Sequence, residues 1–200
     1  EIILTHLTFN GPAGILEGLL ETRESDWGAV LCHPHPLYGG TMHDGVLNAM
    51  HNGFIASGCS TLRFNFRGVG NSIGDHDQGE GEIDDVRAAV AFLQSQGASR
   101  IVLAGYSFGA VMCLKVHDSL SPEAMVLVAP PVQMLGNFDA PTVSSLVILG
   151  SEDEIVEVST TANVFVNSSV EILQGSDHFF MGAHDEIERL VVAKGGGLWS

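Results

Sequence analysis

The stretch that decides the fold is RIVLAGYSFGAVMCL, Arg100–Leu114. Its first part, RIVLAGY, is an apolar run typical of a buried strand. Its last part, SFGAVMCL, begins a predicted helix. Between them lies the pattern G-x-S-x-G, Gly105–Gly109. A strand that turns sharply into a helix at such a serine is typical of a nucleophile elbow. The stretch therefore predicts Ser107 as a nucleophile, with a serine that only caps the helix as the alternative.

A second match to the same pattern, GNSIG at Gly70–Gly74, has a different context. A glycine-rich segment precedes it, and the polar segment DHDQGEGE follows it. Since neither a strand nor a helix adjoins this match, we predict Ser72 to be a turn residue.

Apolar runs and segments of helical periodicity alternate along the rest of the chain. We predict strands at 2–9, 14–22, 27–33, 59–66, 100–106, 124–130, 144–150 and 169–175, and helices at 44–55, 83–93, 107–120, 154–166 and 184–194. This alternation predicts an α/β fold with a mostly parallel sheet and helices on both faces. Residues 130–143 are too few for a large cap domain, and we expect one domain over residues 1–200.

The amino-acid composition limits the partners and the cellular location that we expect. Of 200 residues, 24 are acidic and 8 are basic, which gives a formal net charge of −16. Such a surface repels nucleic acid and anionic membranes, so we expect neither as a partner, while a homo-oligomer is left open. The three cysteines each lie in an apolar run, which predicts buried free thiols in a cytoplasmic protein. No apolar run reaches the ~20 residues that span a bilayer, and the first residues lack the basic start of a signal peptide.

A serine hydroxyl needs a base to act as a nucleophile. In an elbow architecture this base is a histidine that follows the serine in the chain, and it belongs at the carboxyl end of a strand. His178 directly follows the predicted strand SVEILQG, whereas His117 and His184 fall within predicted helices. His178 is therefore the predicted base.

The base in turn needs a carboxylate that orients its ring. Three acids follow the predicted strand SSLVILG, and Asp153 stands in the spacing G-x-x-D from Gly150. Glu152 and Glu154 are more typical of solvated acids near a helix start. Asp153 is therefore the predicted partner of the histidine.

Five ordered motifs, HPHPLYGGTM, FNFRGVGNSIG, GYSFGA, GSEDEIV and DHFFMG, resemble the small, lidless α/β-hydrolases related to dienelactone hydrolases. The resemblance covers nearly the whole chain. It implies an α/β-hydrolase fold and a serine hydrolase with Ser107, Asp153 and His178 as its triad. Dienelactone hydrolases carry cysteine at the nucleophile position, so their lactone specificity is not implied. Asn65 also stands where many hydrolases have the acid of a D-x-R-G motif.

The loop HPHPLYGG, His33–Gly40, follows the third predicted strand and is expected to complete an oxyanion hole. One N–H of that hole is expected from Phe108, the residue after the nucleophile. The two prolines of the loop have no N–H. His35 and Leu37 therefore remain as the candidates for the second donor.

The same loop suggests a metal site as an alternative, with His33, His35, His43 and Asp44 as ligands. Two histidines separated by one residue point to opposite sides unless the loop bends, and the chain has neither an H-E-x-x-H pattern nor a cysteine pair. We therefore expect no metal and no other cofactor.

These patterns together predict a serine esterase that cleaves small acyl esters through an acyl-enzyme. A thioesterase, a small peptidase or an acyl transferase at the same site is the alternative, and a non-catalytic binding module on the same scaffold is a further one. The side chains expected to contact the substrate are aromatic or apolar: Tyr38, Met134, Leu135, Phe138, Phe179 and Phe180.

Overall fold

A computed structural model of the chain describes residues 4–198. Eight strands form one sheet in the order β1-β2-β4-β3-β5-β6-β7-β8. The strands are β1 (Leu4–Gly11), β2 (Gly14–Glu21), β3 (Trp27–Cys32), β4 (Ser60–Phe64), β5 (Arg100–Tyr106), β6 (Ala124–Val128), β7 (Ser144–Gly150) and β8 (Ser169–Leu173). The α-helices of these residues are α1 (Gly45–Ala56), α2 (Glu82–Ser95), α3 (Phe108–Leu120), α4 (Val158–Val164) and α5 (His184–Leu198). Short 3₁₀ helices cover Pro36–Tyr38 and Val132–Leu135.

The order of the strands places helices on both faces of the sheet. β2 is antiparallel to both of its neighbours, β1 and β4, and all neighbouring strands from β4 to β8 are parallel. The crossover through α1 moves toward one edge of the sheet, and the crossovers through α2 and α3 move toward the other. Because such crossovers are right-handed, the change of direction moves the helices to the opposite face. Accordingly, α1 packs against α5, and α2 packs against α3.

The central strands are buried along their whole length. Every residue of β3, β4 and β6 is buried, as expected of parallel strands that helices cover on both faces. The predicted burial of the free cysteines is confirmed for Cys32, Cys59 and Cys113. No helix within residues 4–198 is long and apolar enough to cross a membrane.

The predicted helix over 154–166 is shorter in the structure, where α4 covers only Val158–Val164. Backbone N–H groups of the residues before α4 donate hydrogen bonds to the Asp153 side chain instead. Asp153 accepts bonds from the N–H groups of Ile155 and Val156, each at 2.8 Å. Glu157 then caps α4. Helical periodicity alone could not reveal that these N–H groups have other acceptors.

Six of the eight predicted strands also differ from the observed strands by one or two residues at one or both ends. The first was predicted from Ile2; residues 2 and 3 lie outside the described part of the chain, and β1 begins at Leu4. The fourth was predicted to reach Phe66, but β4 ends two residues earlier. There the N–H of Asn65 donates to the carbonyl of Glu17, and that of Phe66 donates to His33 Nε2. The bond of Asn65 still pairs the chain with β2, whereas the bond of Phe66 goes to a side chain instead of the backbone after β3.

Candidate active site

Ser107 lies at the sharp turn between β5 and α3, at the carboxyl end of the sheet. Its backbone has φ 53° and ψ −115°, a strained conformation for a residue with a side chain. The neighbouring glycines permit the turn. A Cβ on Gly105 would lie 2.4 Å from the carbonyl carbon of Gly109, and one on Gly109 would lie 2.0 Å from the carbonyl oxygen of Cys32. The Ser107 side chain makes no capping bond to α3, so the helix-cap alternative is wrong.

The structure brings Ser107 and His178 together. His178 Nε2 lies 3.0 Å from Ser107 Oγ, and His178 Nδ1 lies 2.7 Å from Asp153 Oδ2. An ionised carboxylate only accepts hydrogen bonds. The proton of a neutral imidazole must therefore be on Nδ1, which leaves Nε2 free to accept from the serine hydroxyl. The ring is thus held in the tautomer that can take the serine proton.

The Asp153 carboxylate stays charged and accepts a hydrogen bond from the side of the His178 ring that faces away from Ser107. Its side chain is fully buried. Burial would raise the pKa of this carboxyl, but the hydrogen bonds from His178, Val156 and Ile155 outweigh it and keep the pKa below its usual value. Gly150 is needed because a Cβ there would lie 2.4 Å from the carbonyl oxygen of Ser176. This close approach joins the loop of Asp153 to the loop of His178.

Tyr106 supports the histidine from below, a role that the sequence did not reveal. Its hydroxyl donates a 2.7 Å hydrogen bond to the backbone carbonyl of His178. The ring of Phe180 packs edge-on against Tyr106, with centroids 6.2 Å apart. Phe180 is fully buried, so its prediction as a substrate contact is wrong. It anchors the histidine loop in the core instead.

The backbone N–H groups that are candidate oxyanion donors differ in whether they already have a hydrogen-bond acceptor in the protein. The N–H of Leu37 donates to His35 Nδ1 at 3.2 Å, which caps the short 3₁₀ helix, and the Leu37 side chain points to solvent. Within residues 4–198, no protein acceptor is found for the N–H of His35 or of Phe108. The His35 and Phe108 rings are 5.0 Å apart, because the start of α3 packs against the end of β3.

His33 is a buried structural group and not a metal ligand. Its Nδ1 lies 2.7 Å from the carbonyl oxygen of Pro34, and its Nε2 accepts from the N–H of Phe66 at 3.1 Å. Both ring nitrogens are therefore occupied by the backbone. Burial lowers the pKa of His33 to about 4. No cluster of three metal-ligating side chains is found among the described residues.

A cavity of about 670 Å³ opens beside Ser107. Of the predicted substrate contacts, Tyr38, Met134 and Phe179 line it. Leu135 and Phe138 do not, so their prediction is wrong. Leu135 packs against the core, and Phe138 lines a separate cavity of about 420 Å³ beside α4.

The same cavity is lined by residues that the sequence analysis missed: Pro34, Gly39, Gly40, Asp44, Tyr106, Pro131, Gln133 and Ile155. One signal, the position just after a parallel strand, could have indicated some of them. Pro131 and Gln133 follow β6, and Ile155 follows β7 closely, at the carboxyl edge where ligands bind. Asp44 gave no such signal, because it is separated from β3 by a long loop.

A sheet of this order, with a strained serine before a helix and an aspartate and histidine after later strands, defines the α/β hydrolases. A sequence profile of the alpha/beta hydrolase family matches residues 29–144, which is more than half of the chain. The chain belongs to this family, and its predicted fold class is thereby confirmed.

Solved structures agree with this assignment. The chain is similar to an alpha-beta serine hydrolase homologue from Coxiella burnetii, with 32% identity, 95% of this chain and 96% of that chain covered, and a TM-score of 0.89. It is also similar to an a/b serine hydrolase without lid from Xanthomonas campestris, with 30% identity, 98% and 94% coverage, and a TM-score of 0.87. In sequence it is 32% identical over 208 residues to an uncharacterised protein of Rickettsia prowazekii, covering 94% of this chain and 87% of that protein.

Proposed function

We propose that the protein is a serine hydrolase that cleaves small acyl esters, with Ser107, His178 and Asp153 as its catalytic triad. The observation that carries this proposal is the unbroken line of two hydrogen bonds, 3.0 Å and 2.7 Å long, from the strained serine to a buried aspartate. A purely structural serine would cap α3, and this one does not.

The proposed reaction follows from these positions. His178 Nε2 takes the proton of Ser107 Oγ as the oxygen attacks the acyl carbon, and the N–H groups of Phe108 and His35 stabilise the resulting oxyanion. The protonated His178 then gives its proton to the leaving alcohol as the ester bond breaks. Water hydrolyses the acyl-enzyme in a second round of the same steps, with His178 as base, and Ser107 regains its proton.

The open cavity supports small substrates. Only the 3₁₀ helix Val132–Leu135 and loop residues lie between β6 and β7, so no cap covers the nucleophile. Short acyl esters are therefore the proposed substrates, and thioesters and amides are the competing classes. Serine in place of cysteine sets this chain apart from the dienelactone hydrolases it resembles. The buried free cysteines support the proposed location in a reducing cytoplasm.

A fluorophosphonate probe tests the nucleophile. We expect intact-mass analysis to show one adduct on the wild type, none on Ser107→Ala, and one on the matched control Ser72→Ala. Ser72 stands in the second G-x-S-x-G match, but its Oγ accepts from the N–H of Glu17 and donates to the carbonyl of Asn65. An unlabelled wild type, or an equal adduct on Ser107→Ala, would refute the proposal. A panel of p-nitrophenyl esters, acyl-CoA and aminoacyl amides then separates the substrate classes.

A pair of substitutions at His35 tests the second oxyanion donor. His35→Ala removes the ring but keeps the N–H, so most activity should remain. His35→Pro removes the N–H, and the φ of −54° at this position suits proline. Loss of one such donor typically lowers kcat by about 10²-fold to 10³-fold. Equal activity of the two variants would show that the His35 N–H is not a donor.

A further inference from the structure

Asp44 is an acid in the wall of the proposed active site that the triad does not use. It is the residue before α1, and its Oδ1 accepts from the N–H groups of Val46 and Leu47 at 2.8 and 3.1 Å. Within residues 4–198 no hydrogen bond to its Oδ2 is found. The side chain also lines the 670 Å³ cavity that contains Ser107. One oxygen thus holds the helix, and the other is available to a ligand.

The cavity has no positive side chain to balance this acid. Its lining includes neither lysine nor arginine, and its titratable members besides Asp44 are His35, His178, Tyr38 and Tyr106. Outside the lining, the ring of His184 lies close to the start of α1, since a Cβ on Gly45 would be 2.6 Å from its Cε1. No ion pair to Asp44 is found among the described residues. An anionic substrate would therefore meet a negative charge that no lysine or arginine of the cavity lining balances.

Three further features favour a positive substrate group. Burial raises the pKa of Asp44, and the hydrogen bonds from α1 and the nearby His184 oppose this only in part, as expected of a carboxylate without a full partner. The exposed aromatic rings of Tyr38 and Phe179 line the same cavity, and aromatic faces attract ammonium groups. The net charge of −16 adds a long-range attraction for cations.

Resting on the proposed esterase function, we propose that Asp44 is a specificity-determining residue that binds an ammonium group of the substrate. The substrates of this site are then acyl esters whose second part is cationic, and neutral esters are weaker substrates. Anionic esters and acyl-CoA, which carries phosphates, are disfavoured. This assignment separates the proposed esterase from the competing thioesterase function.

A pair of isosteric esters tests this assignment. Acetylcholine and 3,3-dimethylbutyl acetate differ only in a positive nitrogen against a neutral carbon. The measurement is the ratio of their kcat/KM values at low ionic strength and at pH 8, above the usual titration of histidine. In Asp44→Asn this ratio should fall about fivefold relative to the wild type, the effect of one partly exposed ion pair. Comparing ratios between proteins cancels the different intrinsic reactivities of the two esters.

Asparagine keeps the helix cap, since it is as good a cap as aspartate. The matched control is Asp177→Asn. Asp177 Oδ1 also accepts two backbone N–H groups, from Phe179 and Phe180, but Asp177 lies outside the cavity lining. The control should keep the wild-type ratio. An equal fall in both variants would show a general charge effect and would overturn the role of Asp44.

An inhibition experiment on the wild type does not depend on any variant. Choline should inhibit hydrolysis of a neutral p-nitrophenyl ester more strongly than 3,3-dimethylbutanol, and equal or weaker inhibition would overturn the assignment. Failure of the proposed function is distinguishable. In that case neither ester is hydrolysed and the fluorophosphonate adduct on Ser107 is absent, whereas a wrong assignment of Asp44 leaves both the adduct and neutral-ester hydrolysis intact.

Discussion

Two helices begin at the same edge of the sheet, and their first side chains are used in different ways. Asp44 precedes α1 and accepts both capping bonds with one oxygen. Ser107 precedes α3, yet its hydroxyl makes no capping bond and lies 3.0 Å from His178 Nε2. Serine and aspartate are both preferred helix caps. At α3 a stabilising contact is thus given up, as the proposed role of this hydroxyl as a nucleophile requires.

The strongest test of this difference compares Ser107→Ala with the wild type. Since the members of a catalytic triad act as a unit, the proposed role of Ser107 predicts that ester hydrolysis falls by about 10⁴-fold or more. The free energy of unfolding should stay within about 0.5 kcal/mol, because no cap is lost. Urea denaturation and a p-nitrophenyl acetate assay measure the two quantities. A clear loss of stability would mean that the hydroxyl does support α3.

Low pH should lower the stability of the fold through two buried histidines, one of them next to α3. His33, whose carbonyl oxygen lies against Gly109, has its pKa lowered to about 4 by burial, as has His51 by burial and the nearby Arg63 and Arg23. Below about pH 6.5, the usual pKa of histidine, both rings take up a proton when the protein unfolds. Stability is therefore full above pH 6.5 and is lost as the pH falls toward 4. At pH 5 each histidine should cost about 2 kcal/mol relative to pH 7.

Urea titrations at pH 7 and pH 5 measure this loss, expected near 4 kcal/mol for the two groups together. His51→Gln removes one of them and should roughly halve the loss. A stability that does not change between these pH values would show that neither ring is held neutral.

The loop that leads to α1 depends on a different buried network. Asn65 Oδ1 accepts from the N–H of Met42 at 2.8 Å, and its Nδ2 donates to Glu17 Oε2 at 3.0 Å. Burial opposes the charge on Glu17, but hydrogen bonds from Asn71, Asn65 and His6 lower its pKa to about 2. Aspartate at position 65 would keep the bond to Met42 and place two carboxylates side by side.

We therefore expect Asn65→Asp to lower the free energy of unfolding by about 3 kcal/mol at pH 7, as in other broken buried charge contacts. Asn71→Asp is the matched control. Asn71 Nδ2 also donates to Glu17, at 3.3 Å, but Asn71 is exposed, so its substitution should cost less. Equal costs would mean that burial does not set the penalty.

The sequence predicted the α3 start more completely than the α1 start, for physical reasons. Around Ser107, strand, turn and helix are contiguous, so a local pattern contains the whole element. His178 and Asp153 were predictable because the end of each parallel strand is visible as the end of an apolar run. Asp44 was considered only as a metal ligand, since its place in the cavity depends on how the loop after β3 folds.

Long-range contacts explain the other differences. Phe180 and Leu135 are apolar residues near the site, and no local pattern distinguishes a core anchor from a cavity wall. The early end of β4 depends on the ring of His33, which is far away in the chain. Asn65 departs from the acid of a D-x-R-G motif, and only the contact with the carboxylate of Glu17 explains why an amide fits there.

The smallest expected effect lies at the α1 start itself. Asp44→Ala removes both capping bonds and should lower the free energy of unfolding by about 1 kcal/mol, whereas Asp44→Asn should change it by a few tenths. Since Ser107→Ala removes no cap, the three variants in one urea series would rank the side-chain contributions at the two helix starts. An alanine at position 44 that costs nothing would show that the two capping bonds do not stabilise the start of α1.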